Sequence, residues 1–205
     1  MKRNYNLHLI PGVSASGKTI IARSIQEAHR DVEIVVGYTT RKKRPAEVDG
    51  VDYHFKDIAH YKSHAKMSGW SSSQFGDSYY YGPDSGVVPD EVHPRKILPV
   101  SFSTLLEVMK DYSPLIDKGA ITVAPIVINE NNYDGWMENA IKCRPGRDLD
   151  KELLMQDKII NEVNMDGIFI PTWELHEDII AYQSLYNKIT SKGNDNCENR
   201  ISNQQ

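Results

Sequence analysis

The chain has 205 residues with 24 Lys and Arg against 28 Asp and Glu, a formal charge of −4; that is a single-domain length and too acidic a balance for a global nucleic-acid-binding field. Apolar residues make up 40%, enough for one core and too many for a disordered chain, and no apolar run approaches the roughly 18 residues that cross a bilayer. Met1-Lys2-Arg3 is not followed by a secretory apolar stretch, and Cys143 and Cys197 alone exclude a disulfide framework and a cysteine-based zinc site, so a cytoplasmic globular protein is expected.

Residues 5–10 read as a buried strand ending at Pro11-Gly12. Ile20, Ile21, Ile25 and Ala28 place a helix over 18–29, and Val32 to Val36 is a second β-branched run. Residues 39–55 are polar and basic, with turns at Arg44-Pro45 and Asp49-Gly50. Val51 to Phe55 alternates like a half-exposed strand, 57–67 suits a helix, and 70–82 is rich in Ser, Gly and Tyr. Strands follow at Ile97–Val100 and Ile121–Ile128, with a helix from Ser103 to about Tyr112 between them. Residues 133–143, 149–164 and 174–190 read as helices, and Gly167–Ile170 as a short strand. From Ser191 the text is polar, and a frayed, disordered tail is expected over 191–205. Strands alternating with helices predict an α/β domain with a mainly parallel sheet.

Gly12-Val13-Ser14-Ala15-Ser16-Gly17-Lys18-Thr19 fits G-x-x-x-x-G-K-[ST] in full, between a strand and a helix. Glycines let such a loop curl so that its amides face phosphate oxygens, and the following helix adds its positive dipole end. Lys18 supplies a point charge to the β- and γ-phosphates, and Thr19 a hydroxyl for Mg2+. The expectation is a P-loop that binds ATP. Arg41 and Arg44 lie three apart in a non-helical stretch, and arginine forks bind phosphate bidentately. Alone, Arg41-Lys42-Lys43-Arg44 reads sooner as a solvated charge run or a nucleic-acid patch than as a phosphate grip; beside a P-loop and Tyr80-Tyr81-Gly82 the order reverses, and it reads as a second anion grip. Trp70, Trp136 and Trp173 read as packing residues.

The run from Tyr38-Thr39-Thr40-Arg41 through Arg44, Glu47, Gly50 and Asp52-Tyr53-His54-Phe55 resembles the acceptor signature of guanylate kinase, T-T-R-x-x-R followed by E-x-x-G-x-D-Y-x-F. Gln74-Phe75 and Tyr80-Tyr81-Gly82 resemble the family's Q-F and Y-Y-G, with about one extra residue between them. The match runs from Leu7 to about Gly82 and is looser beyond. The resemblance implies a three-layer α/β P-loop kinase over residues 1–190, with an acceptor lobe at about 37–90 and a lid at about 141–158. It implies transfer of the γ-phosphoryl group of ATP, with Mg2+, to the phosphate of a small acceptor, most simply a nucleoside or deoxynucleoside monophosphate. In that scheme Gly12 to Thr19 hold ATP and the metal, and Arg41, Arg44, Tyr53 and Tyr81 hold the acceptor phosphate. Lys18, Arg41, Arg144 and Arg147 serve the transfer. The partner is a small molecule, with no membrane and no nucleic acid, and the chain is a monomer or homodimer.

The family's base-reading positions are altered. Its Glu falls at Ser71, its Ser two positions before T-T-R at Gly37, and the residue after Y-Y-G is Pro83. The family's L-D-x-D reads Leu98-Pro99-Val100-Ser101, without either carboxylate. A later family arginine falls near Gln156. Ser71, Ser72, Ser73, Gln74, Asp77 and Asp84 form an alternative reading surface. The chain shares the missing acids with ribose 1,5-bisphosphate phosphokinase, so a sugar-phosphate acceptor is the second reading. A non-catalytic guanylate-kinase-like binding module is the third, set against the intact Gly12, Gly17, Lys18 and Thr19.

Overall fold

The computed structural model describes residues 7–60, 63, 72–74, 79–83, 95–106, 121–143, 148–163 and 165–201, with side chains outside 72–83 and 192–201. Its centre is a parallel sheet of four strands: β1 (Leu7–Pro11), β2 (Val32–Ile34), β7 (Arg95–Val100) and β8 (Ile121–Val123), in the order β2-β7-β1-β8. Leu7 faces Lys96 on one side and Ile121 on the other, and Leu9 faces Leu98 and Val123. All five residues of β1 are buried, as expected of a central strand covered on both faces.

Alternation along β1 divides the core. Leu7 and Leu9 point into a cluster with Leu98, Val100, Ile121, Val123 and Trp136. Ile10 points into a second cluster with Ile21, Ile25, Ile97, Ile126 and Tyr182. The first is covered by α2 (Tyr133–Cys143) and α3 (Leu149–Glu162), through Trp136, Ala140 and Ile159. The second is covered by α1 (Lys18–Ala28) and α4 (Leu175–Ile201), through Ile21, Ile25, Tyr182 and Tyr186. The result is the expected three-layer arrangement, helices on both faces of a parallel sheet.

A second sheet, β4-β3-β6-β5, is formed by β3 (Gly37–Thr39), β4 (His54–Phe55), β5 (Ser72–Gln74) and β6 (Tyr79–Pro83). The sequence predicts only a strand over 51–55 in this region. Its residues 51 and 52 form a turn instead, and Tyr53 makes only an isolated bridge to Asp49, because Gly50 turns the chain at φ 78° and Val51 and Asp52 amides bond back to Val48. The Ser- and Tyr-rich stretch supplies β5 and β6, whose polar composition hides them from an apolar pattern.

Three other elements differ from expectation. The strand from Ile121 stops at Val123, and Pro125 removes a ladder donor. The chain still follows the sheet, with Ala124 N bonding to Leu9 O and Ile126 N to Pro11 O. The strand expected at Gly167–Ile170 is one bridge, Phe169 to Ile126. The last helix reaches Ile201 rather than residue 190, since apolar spacing reports burial and not helicity. The helix begun at 102–106 continues, in the sequence reading, into residues outside those described. Among the described residues no helix is long and apolar enough to cross a membrane.

His8 lies on the face opposite Leu7 and Leu9, 2% exposed. Its Nδ1 lies 2.8 Å from Thr122 Oγ1 and its Nε2 3.3 Å from the Tyr182 hydroxyl, which donates to Ala124 O at 2.5 Å. Burial lowers its pKa from 6.5 to about 3. Between those values the unfolded chain binds a proton that the folded chain does not, so stability falls as pH drops from about 6.5 toward 3. From pH 7 to pH 5 the wild type is expected to lose about 2 kcal/mol through this residue. Urea midpoints of wild type and His8→Gln at both pH values check this; an equal acid loss in the two proteins would assign it elsewhere.

Candidate phosphate-binding site

The loop between β1 and α1 is shaped by its own sequence. Gly17, the N-cap of α1, sits at φ 89°, where glycine has no Cβ penalty. Ala15 takes φ 59°, an uncommon backbone for a residue with a Cβ. A Cβ on Gly12 would stand 2.6 Å from Ser16 Oγ and 3.3 Å from Ile126 O, so the loop closes this tightly only with glycine there. With no acidic residue in its first turn and glycine at the cap, α1 presents amides and positive dipole toward whatever enters the loop. Lys18 Nζ bends back to donate to Val13 O at 2.6 Å and lies 3.5 Å from Ser16 Oγ. Thr19 is exposed at the start of the helix.

Helices on the other side of the sheet hold the loop in place. Trp136 Nε1 donates to Ser14 O at 2.8 Å, and Asn139 Nδ2 to Ala15 O at 3.0 Å. Trp136 is thus a packing residue, as its type suggests, and also a strap on the loop. From α3, the Glu152 carboxylate accepts from Ser14 N at 2.5 Å and from Ser14 Oγ at 2.7 Å. Nothing in the sequence signals these three contacts, because each spans more than 120 residues.

Arg41 and Arg44 form the second cationic group. Arg41 is 9% exposed. Its Nη1 donates to Glu47 Oε2 at 2.6 Å and to Lys42 O at 3.0 Å, and its Nη2 donates to Glu47 Oε1. Arg44 N donates to Glu47 Oε2 at 2.8 Å, and Arg44 Nη1 lies 3.4 Å from Oε1. The Arg41 guanidinium lies 5.2 Å from the Tyr53 ring centroid and 5.6 Å from that of Phe55, within cation–π range. Burial raises the Glu47 pKa, but hydrogen bonds from Arg41 and the Arg44 amide, with both charges, outweigh it and hold the carboxyl below its ordinary value. Glu47 therefore stays ionised and locks the two arginines together. Sequence reading places Glu47 in the motif without giving it a task; its spacing, three residues after Arg44, is the signal that was there.

The two cationic groups share one cavity of about 890 Å³, lined by the loop from Ser14 to Thr19 and by Arg41, Arg44, Glu47 and Tyr53. Pro99, Ser101 and Thr104 form part of its wall. Ser101 Oγ accepts from Thr104 N at 3.2 Å and lies 2.8 Å from Ser103 Oγ, so it caps the turn at 102–106. Gln156 does not face a ligand: its amide bonds both backbone groups of Ile128, at 2.8 and 2.7 Å, and it is 1% exposed. Tyr81 pairs with Thr39 and with Ser72 in the second sheet. Ser71, Asp77, Asp84, Arg144 and Arg147 lie outside the described residues. A smaller cavity of about 160 Å³ adjoins the back of the loop, between Gly17, Ile20, Asn139 and Trp173.

Residues 5–82 match the family model of guanylate kinase. Over 56 residues the chain is 48% identical to the guanylate kinase of Zymomonas mobilis, covering 27% of this chain and 26% of that protein. Over 83 residues it is 34% identical to the guanylate kinase of Methylobacillus flagellatus, covering 40% and 41%. The guanylate kinase of Salinibacter ruber is 32% identical over 96 residues, covering 45% and 50%. The chain thus aligns with between a quarter and a half of the length of these curated relatives. The fold is similar across nearly the whole chain to the crystal structure of guanylate kinase from Anaplasma phagocytophilum, with TM-score 0.66, 13% identity, and coverage of 94% and 88%. Over residues 5–82 the chain is thus similar in sequence to guanylate kinases, and its fold is of the same kind as that of a solved guanylate kinase.

Proposed function

We propose that the protein is an ATP-dependent phosphotransferase that moves the γ-phosphoryl group of ATP onto the phosphate of a small acceptor, a nucleoside or deoxynucleoside monophosphate, in the cytoplasm. The observation that carries this reading is the single cavity lined both by the P-loop and by Arg41, Arg44 and Tyr53. Two anions must meet for such a transfer, and two separate cationic groups are what can hold them. An acceptor phosphate has a second pKa near 6 and is largely ionised at neutral pH, so no general base is required.

Each residue then has a task. Amides of Gly12 to Thr19 take the donor phosphates, and Lys18 swings from Val13 O to the phosphate it neutralises. Arg41 and Arg44, aligned by Glu47, grip the acceptor phosphate with the hydroxyls of Tyr53 and Tyr81. Arg144 and Arg147 are assigned the rest of the neutralisation, and Ser71 a contact with the acceptor beyond its phosphate. The hydroxyl of Thr19, exposed at the first turn of α1, suits Mg2+, which when bound neutralises charge on the transferring phosphates.

A second reading rests on Pro99 and Ser101. Both sit in the cavity wall without a carboxylate, and the Ser101 hydroxyl is engaged in capping. A purine reader depends on buried polar groups that match the base, so this wall favours an acceptor without a base, a sugar phosphate such as ribose 1,5-bisphosphate. Coupled ADP release with Mg·ATP, run against each ribo- and deoxyribonucleoside monophosphate and ribose 1,5-bisphosphate, separates the two. Fast turnover of one nucleotide is expected. Turnover of the sugar bisphosphate alone establishes the second reading, and ATP binding without any turnover points to a binding module.

A further inference from the structure

The two helices that hold the P-loop do so with opposite chemistry. From α2, Trp136 and Asn139 give neutral N–H donors to the carbonyls of Ser14 and Ala15. Those contacts leave the loop's amides to an anion. From α3, Glu152 does the reverse: a carboxylate accepts from the Ser14 amide and hydroxyl, two donors of the loop itself. Glu152 is 9% exposed and lines the large cavity together with Lys18 and Thr19. Its charge therefore lies inside the anion site.

We propose that Glu152 is a built-in competitor for the P-loop, a carboxylate that occupies the Ser14 donors until the phosphates of a nucleotide displace it. The inference rests on reading the loop as a nucleotide site. A carboxylate and a phosphate seek the same N–H and O–H donors. In a part-buried site two such anions cannot share one donor pair, because like charges at contact distance repel strongly when water is excluded. Binding then becomes an exchange: Ser14 passes from carboxylate to phosphate, and the first turn of α3 loses its anchor on the loop. The apparent dissociation constant is the intrinsic one divided by the fraction of molecules whose loop is clear. An occupied loop thus weakens nucleotide binding and ties the position of α3 to the presence of nucleotide.

Glu152→Gln tests this, since the side chain keeps its size while losing the charge that makes it a strong rival to phosphate for the Ser14 donors. Calorimetric titration of the full chain with Mg·ATP is expected to give a dissociation constant about tenfold lower for Glu152→Gln than for wild type, the factor for a loop blocked in about nine molecules of ten. A constant that is unchanged or higher overturns the competitor and makes Glu152 a plain strut. That result differs from an absence of Mg·ATP binding in both proteins, which overturns the nucleotide site itself and the competitor with it. Hydrogen exchange on the wild type decides the matter should the variant fail to fold. Mg·ATP is expected to speed exchange several-fold over residues 149–156, and unchanged or slower exchange there overturns the proposal.

Discussion

A Lys18→Ala variant is expected to lose phosphoryl transfer by about three orders of magnitude while keeping its fold. The ammonium is a charge that the reacting phosphates need and that no neutral side chain replaces, and in such reactions the stabilisation of developing charge commonly contributes more than any other effect. In the structure Lys18 holds Val13 O and approaches Ser16 Oγ, so its removal costs the fold a few polar contacts of about 1 kcal/mol each. Steady-state ADP release at saturating acceptor, set beside a thermal melt, checks both halves. Activity within about tenfold of wild type would remove the P-loop from the chemistry.

Replacing Arg41 by alanine is expected to raise the acceptor KM by about two orders of magnitude, with a smaller fall in kcat. A bidentate charge-assisted contact to a phosphate is made before the transition state as well as in it, so its loss is read mainly as binding. The structure adds a consequence for stability. Arg41 is the main partner of Glu47, and their side chains are 9% and 14% exposed. Breaking such a pair on one side leaves a part-buried carboxylate behind and costs about 3 kcal/mol. Arg41→Ala should therefore also lower the urea midpoint. In the double variant Arg41→Ala, Glu47→Gln the midpoint should recover in part, while the acceptor KM stays high. Recovery of KM along with stability would show that Arg41 acts only by holding the segment together, and the acceptor anion would have to be sought elsewhere in the cavity.

The positions where the guanylate kinase motif is altered have a different standing. Gly37 and Pro83 face each other across β3 and β6, and Ser101 is a cap on the turn that follows β7. Neither arrangement offers a carboxylate to a purine edge. Residues 41–53 keep the guanylate kinase motif, whereas Gly37, Pro83, Pro99 and Ser101 depart from it. Under the proposed function, the chemistry resides in the charges and the choice of acceptor in the wall around them.

Local chemistry is what the sequence by itself determined. A loop that must curl around phosphate needs Gly12 and Gly17 at fixed spacing, and a parallel strand buried on both faces needs an unbroken apolar run such as Leu7 to Ile10; both are written in adjacent letters. The helices over Lys18–Ala28, Tyr133–Cys143 and Leu149–Glu162 were legible for the same reason, since one apolar face recurs every three or four residues. Of the second sheet only β4 lay within a stretch read as a strand, because the other short strands carry Gly, Ser and Tyr and are defined by pairing with each other. Most of the support for the site was hidden as well. Glu47 locks Arg41 and Arg44 from within its own motif, but Trp136, Asn139 and Glu152 reach the P-loop from far along the chain. Gln156, at a position where the family carries a charge, clamps the backbone of Ile128. Such contacts depend on how three layers stack, and stacking is set by the volumes of Leu9, Val123, Ile159 and their neighbours together. Only the tertiary structure could decide which polar side chain arrives beside which loop, and with it whether the P-loop stands open or meets a carboxylate first.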